Sequence, residues 1–307
     1  MYVIIIIIIN IEEVSVVANY SPLRYPGGKS RLSEFIKLII ENIGMTNCTY
    51  IEPFAGGAGV ALSLLVDNCV NDIVINDYDK AIYSFWRAIK TDSEELIEKI
   101  INTPVTMDEW YKQKEIYTQT HVYSVDLAFS TLFLNRTNRS GILSAGPIGG
   151  YAQDGEWKLN VRYDKTKLIE KIKKIADNKE RIKVYNKDIL SLITNYIPKY
   201  GDRVFIYFDP PYFNKGQKLY KNFFSSEDHE KIKNAIMEHI KAPWIVTYDA
   251  VDEIRMLYKE YDIKKFDLTY SAANKGTASE LMIFSDSVFC PSDAQMRNKK
   301  IAINLRA

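Results

Sequence analysis

YIEPFAGGAGVALSLLVDNCVNDIVIND, residues 50–77, is the stretch that decides the fold. Tyr50 and Ile51 end a short apolar run, and AGGAG (Ala55–Gly59) breaks it. VALSLLVDN then reads as a helix, and Ile73–Asp77 as a second strand closed by an acid. Strand, glycine turn, helix, strand, acid is the order of a βαβ unit. Glycines after the first strand let the backbone approach a ligand and let the next helix pack tightly. Asp77 lies 18 residues beyond Gly59, where a carboxylate can accept both hydroxyls of a ribose. The spacing is not GxGxxG, which disfavours a pyrophosphate cradle and a nicotinamide cofactor. A nucleoside ligand without phosphates suits this loop better; the plain alternative is a tight turn with an exposed acid.

Upstream, SPLRYPGGKSRLSEFIKLIIENI is a Gly-containing loop followed by a helix, with Leu32, Phe35, Ile36, Ile39 and Ile40 at helical spacing. Lys29 at that helix start can meet an anionic group, but the GxxxxGK[ST] spacing of a phosphate loop is absent. Further upstream, six consecutive isoleucines precede Asn10, Glu12 and Glu13. That run falls short of the ~20 apolar residues a bilayer span needs. It lacks the basic flank and cleavage site of a signal peptide, so an extra strand or an N-terminal extension is expected. Downstream, strand–helix alternation stops near residue 101 and resumes near 181. The interval carries helical text (TMDEWYKQKEIY, VDLAFSTLFLNR) and a Gly-, Asn- and Ser-rich tip. The expected architecture is a doubly wound α/β sheet interrupted once, with a hairpin over 262–284 and no clear signal beyond Phe289.

VFIYFDPPYF contains the sharpest chemical signal, Asp209-Pro210-Pro211-Tyr212 after an apolar strand. Two prolines stiffen the turn and remove two N–H donors, leaving carbonyl oxygens and one carboxylate. An acceptor-only corner of this kind suits an exocyclic amino group, and Tyr212 offers a face on which the attached ring can stack. A rigid strand-to-loop corner is the competing explanation.

Lys plus Arg number 40 against 39 Asp plus Glu, so bulk charge does not announce a nucleic-acid partner. Charge is nonetheless clustered: residues 158–187 hold eleven Lys or Arg and four Asp or Glu, with Arg136 and Arg139 in the adjoining loop. Such groups can track a phosphate backbone; the ordinary alternative is a solvated helix face. Three cysteines without a CxxC, and three scattered histidines, disfavour a disulfide scaffold and a metal centre and fit a reducing cytoplasm.

Taken in order, LRYPGGKS, IEPFAGGAGVAL, INDYD, YFDPPYF and TYSAANKGTASELMIF resemble the Dam-like (D12, alpha group) class of DNA adenine N6-methyltransferases, over about residues 21–285. The resemblance implies a Rossmann-like class I methyltransferase sheet with an inserted, mostly helical target-recognition domain. It implies an N-terminal extension over 1–19, a catalytic domain over 20–100 and 181–290, the recognition domain over 101–180 and a tail over 291–307. S-adenosylmethionine is the implied methyl donor and double-stranded DNA the implied partner. By motif match, Tyr25, Lys29, Glu52, Phe54, Gly56, Gly57, Gly59, Asp77 and Asp188 would hold the cofactor. Asp209, Pro210, Pro211 and Tyr212 would hold the adenine, and Arg136, Asn138, Arg139, Arg162 and Lys215 would contact DNA. The family pattern requires no metal. It allows a restriction endonuclease acting on the same site and suggests a cytoplasmic monomer without membrane attachment. The segment GPIGGYAQDGEWKLNVRYDKTKL departs from the recognition text of GATC enzymes, so the target sequence is not inherited. An N4-cytosine enzyme and a catalytically silent DNA-binding relative are the alternative readings.

Overall fold

The computed structural model describes residues 19–25, 29–213, 224–269 and 277–306. The Ile-rich residues 1–18, Gly27, Gly28 and Lys215 therefore lie outside the described residues. The sheet has eight strands: β1 (Thr49–Glu52), β2 (Asp72–Asn76), β3 (Ile182–Tyr185), β4 (Val204–Phe208), β5 (Trp244–Asp249), β6 (Asp262–Thr269), β7 (Thr277–Phe284) and β8 (Leu305–Arg306). Their order is β3-β2-β1-β4-β5-β7-β6-β8. Strands β1 to β5 run parallel, and β7 enters antiparallel between β5 and β6. The chain winds outward from β1 to β3, then returns to build β4 and β5 on the other side. The expected doubly wound sheet is thus present, and its switch point lies between β1 and β4.

Each strand feeds two cores because successive side chains face opposite ways. Phe205 and Tyr207 join one buried cluster, while Val204, Ile206 and Phe208 join the other. Every residue of β4 and β5 is buried; β4 reads as an unbroken apolar run, while β5 carries Thr247 and Asp249 among its apolar residues. On the first face lie α1 (Ser33–Asn42), α2 (Gly59–Val66), α3 (Lys80–Thr91), α4 (Ser93–Asn102), α5 (Met107–Gln119), α6 (Val125–Thr137) and α7 (Lys165–Ala176). The expected helices of the interval appear as α5 and α6, opened by Thr106 and Ser124, whose hydroxyls accept from Glu109 N and Leu127 N. Trp110, Phe133 and Ile172 of the inserted helices belong to the same cluster as Phe35 and Phe85, so insertion and sheet share one core. The helix Ser226–His239 covers the opposite face through Ile232 and Ile236.

The tail differs from expectation. A helix spans Asp293–Asn298, and β8 pairs with β6. Its signal was present as Ser292-Asp293-Ala294-Gln295, a capping box in which Ser292 and Gln295 side chains satisfy each other's backbone N–H groups. No helix among the described residues is long and apolar enough to cross a membrane.

Candidate active site

The carboxyl ends of β1 and β4 are adjacent, and each continues into one of the motifs. After β1, Gly56 adopts φ +45°, and a Cβ there would stand 2.6 Å from the Tyr25 ring. Only glycine gives that turn and that closeness together. The turn is pinned on both sides: Gly56 N donates to Asp77 Oδ2 at 2.9 Å, and Trp86 Nε1 donates to the Gly56 carbonyl at 2.9 Å. Asp77 Oδ1 accepts from Asp79 N at 2.9 Å. Burial pushes the Asp77 carboxyl up to about 7, despite the two amides that favour its charged form. Asn76, which the sequence did not single out, ties three strand ends together. Its Nδ2 donates to the carbonyls of Pro53 and Lys187, and its Oδ1 accepts from Lys187 N. Asp188 is exposed and caps the short helix that follows β3, accepting from Leu190 N and Ser191 N.

After β4, Asp209 meets Lys29. The Lys29 ammonium lies 3.3 Å from Asp209 Oδ1 and 2.5 Å from Glu280 Oε2, and donates to the Tyr212 hydroxyl at 2.6 Å. Tyr212 in turn donates to Glu280 Oε1 at 2.5 Å. The sequence thus brought Lys29, Asp209 and Tyr212 to attention separately, and the fold joins them. Glu280 is the site residue that sequence reasoning missed; its signal is a lone acid immediately before the apolar run Leu281–Phe284, and it is fully buried in the structure. Burial depresses the Lys29 ammonium, but the Asp209 and Glu280 carboxylates outweigh it and hold the group above its ordinary range. Burial raises Asp209, while Lys29 and a hydrogen bond from Thr247 pull it back. Its side chain keeps 21% exposure, so a ligand can still reach it. Glu52, at the end of β1, is raised well above the carboxylate range by burial and by the charge of Asp209; its Oε2 accepts from Ala61 N at 3.3 Å.

Beside this corner, Phe213 N donates to Asp249 Oδ1 at 2.9 Å, and the His229 ring packs against both Phe213 and Phe224. Phe224 also meets Phe54 edge-on, with centroids 6.2 Å apart. Two carboxyl groups share one ammonium here, next to a glycine cradle and a carboxylate at a strand end. That donor set fits a nucleoside bearing a positive charge.

A second cluster is basic. Asn135 Oδ1 accepts from Arg24 N at 2.7 Å, and its Nδ2 donates to the carbonyls of Arg24 and Gly141 at 2.8 Å each. Arg136 Nε donates to the Pro22 carbonyl at 2.6 Å, and Lys171 Nζ to the Ser21 carbonyl at 3.0 Å. Burial lowers Arg136 to about 10, and the charges of Arg24 and Arg162 add to that. Arg24 and Lys171 are lowered for the same reasons, burial first and then Arg162 and Arg136 respectively. Arg139 and Arg162 are exposed. Asn138 departs from its expected place on the surface: it is fully buried, accepts from Trp110 Nε1 at 2.7 Å, and donates to the carbonyls of Ile142 and Leu143. An amide with its donors and acceptor spent inside the protein shapes the loop rather than touching a partner.

The model of the D12 class N6 adenine-specific DNA methyltransferases matches residues 25–272. The Type II methyltransferase M.MjaIII of Methanocaldococcus jannaschii is 25% identical over 209 residues, covering 62% of this chain and 68% of the relative. The Type II methyltransferase M1.LlaDCHI of Lactococcus lactis subsp. cremoris is 22% identical over 288 residues, covering 85% and 93%. M.CviBI, a Type II methyltransferase of Paramecium bursaria Chlorella virus NC1A, is 24% identical over 250 residues, covering 81% and 90%. With the family match spanning both motif-bearing ends of the parallel sheet, the chain belongs to the D12 class of N6 adenine-specific DNA methyltransferases, enzymes whose methyl donor is S-adenosylmethionine.

Proposed function

We propose that the pocket between β1 and β4 is where this methyltransferase acts, with Asp209, Pro210, Pro211 and Tyr212 holding an adenine turned out of duplex DNA. The observation that carries this reading is Asp209 itself: a carboxylate at the switch point, bonded on one oxygen and still partly open to solvent. In this reading Tyr25, Lys29, Glu52, Phe54, Gly56, Gly57, Gly59, Asp77 and Asp188 line the cofactor site, with Asp77 accepting from ribose hydroxyls.

When bound, S-adenosylmethionine supplies a methyl group already activated by its sulfonium. The N6 lone pair of adenine is delocalised into the ring, so the protein's work is orientation and charge stabilisation. Asp209 and the Pro210 carbonyl each accept one N6 hydrogen, drawing the nitrogen toward sp3 and turning its lone pair to the methyl group. As the N–C bond forms and the methyl–sulfur bond breaks to leave a neutral thioether, positive charge would grow on N6, and the Asp209 carboxylate would stabilise it until the proton passes to water. Taking adenine out of the duplex costs a few kcal/mol. Stacking on Tyr212, held by Lys29 and Glu280, returns roughly 1–3 kcal/mol.

The segment 101–180 serves as the recognition domain, and Arg136, Arg139 and Arg162 contact phosphates. Arg24, Arg136, Arg162 and Lys171 lie together without an acid among their described partners, and burial followed by like charge lowers Arg24, Arg136 and Lys171, which supports an anionic partner here. The proposed reading also includes a companion restriction endonuclease at the same site and action as a cytoplasmic monomer. The test is labelled methyl transfer to unmethylated genomic DNA followed by nucleoside analysis. N6-methyladenine is the expected product. N4-methylcytosine would move the activity to the alternative base, and no product from folded, cofactor-binding protein would leave a silent DNA-binding relative.

A further inference from the structure

Asp209 is oriented by more than Lys29. Thr247 on β5 donates from its hydroxyl to Asp209 Oδ1 at 2.7 Å, and the same hydroxyl lies 2.8 Å from the Tyr207 hydroxyl on β4. A threonine hydroxyl has one hydrogen. Spent on Asp209, it leaves Thr247 able only to accept from Tyr207, so the relay runs Tyr207 to Thr247 to Asp209. Both residues are fully buried, so water cannot take the place of either hydroxyl. Lys29 approaches the same Oδ1 at 3.3 Å, and among the described residues no hydrogen bond or ion pair reaches Oδ2.

We propose that Tyr207 and Thr247 are positioning residues which, with Lys29, saturate Oδ1 of Asp209 and reserve Oδ2 for the amino group of the target base. This rests on the role given to Asp209 above. A carboxylate held through one oxygen cannot rotate, and each donor favours its ionised form against the cost of burial. The other groups that face Asp209 are Glu280 on β7, Glu52 and Tyr50 on β1, and Tyr248 on β5. Lys29 comes from the segment before α1. All of these remain in the variants below, so a changed profile reads the lost donor alone.

The experiment is single-turnover methyl transfer from labelled S-adenosylmethionine to unmethylated genomic DNA as a function of pH, with cofactor affinity measured by calorimetry. Thr247→Val removes a donor from the carboxylate and is expected to move the acid limb upward by about one pH unit, lowering the rate there about tenfold. Cofactor affinity is expected to stay unchanged. Thr247→Ser keeps the hydroxyl and is expected to restore the wild-type profile. Tyr207→Phe should shift the limb in the same direction by less. A Thr247→Val profile that superimposes on wild type overturns the proposal, as does an equal defect in Thr247→Val and Thr247→Ser. Should Thr247→Val fail to fold, an unshifted limb in Tyr207→Phe overturns it. Wild-type and Asp209→Ala controls separate the two levels: an active Asp209→Ala removes the reading of the site, whereas unshifted relay variants remove the relay alone.

Discussion

The acidic pocket and the basic cluster are opposites built on one segment. Arg24, held by Asn135, reaches the basic side, Tyr25 lies against Gly56, and Lys29 enters the acidic pocket. On the acidic side Lys29 is shared between two carboxyl groups, and the Tyr212 hydroxyl bridges Lys29 and Glu280. On the basic side Arg24 leaves Nη1 buried without a hydrogen-bond partner, and Arg136 is bonded to a carbonyl rather than to an acid. Folding alone would neutralise such clusters, because buried like charges are costly. The difference teaches where ligand charge is expected: a cation at the sheet's switch point, and phosphate on the inserted helices.

The largest effect should come from Asp209→Ala. It removes the acceptor for charge developing on N6, and a single-turnover rate about a thousandfold or more below wild type is expected, with calorimetric cofactor affinity largely kept. Turnover near wild type would erase the acidic half of the comparison. Asn138→Ala should cost about 1–3 kcal/mol in denaturant unfolding, because it leaves buried Trp110 Nε1 and two loop carbonyls unpaired. An unfolding midpoint equal to wild type would return Asn138 to the DNA-contact role.

Asp77 sharpens the acidic side through pH. Its folded pKa of about 7 exceeds the ordinary carboxylate value, so below that pH it is protonated and accepts poorly from a ribose. Cofactor affinity should weaken about tenfold per pH unit as pH falls below that value. The Asp77→Asn variant should bind weakly and lose this slope; a retained slope would assign the titration elsewhere. The smallest change is expected at exposed Arg162. Arg162→Ala should weaken DNA binding severalfold and reduce the log–log salt slope by ~0.9. An unchanged slope would mean that the basic cluster does not meet phosphate.

Much of this was legible beforehand. The glycine turn, both acid-ended strands, α5, α6 and the β6–β7 hairpin all follow from local pattern, because turn chemistry and apolar runs are properties of consecutive residues. The helix after Ser292 carries a local signal in its capping box, but its six residues DAQMRN hold too few apolar side chains to show a helical period. Asn138 was misplaced because an asparagine in a polar loop looks the same whether its amide faces water or a buried indole.

Sequence by itself determined the parallel sheet, the order of its motifs and the chemical character of the Asp-Pro-Pro-Tyr corner, since each is written in short spans whose backbone preferences are local. Only tertiary structure decided that Lys29, Glu280, Tyr207 and Thr247 converge on that corner from four separate segments. Their pairing depends on strand register across β4, β5 and β7, and register is fixed by which faces can be buried together, a property of the assembled sheet.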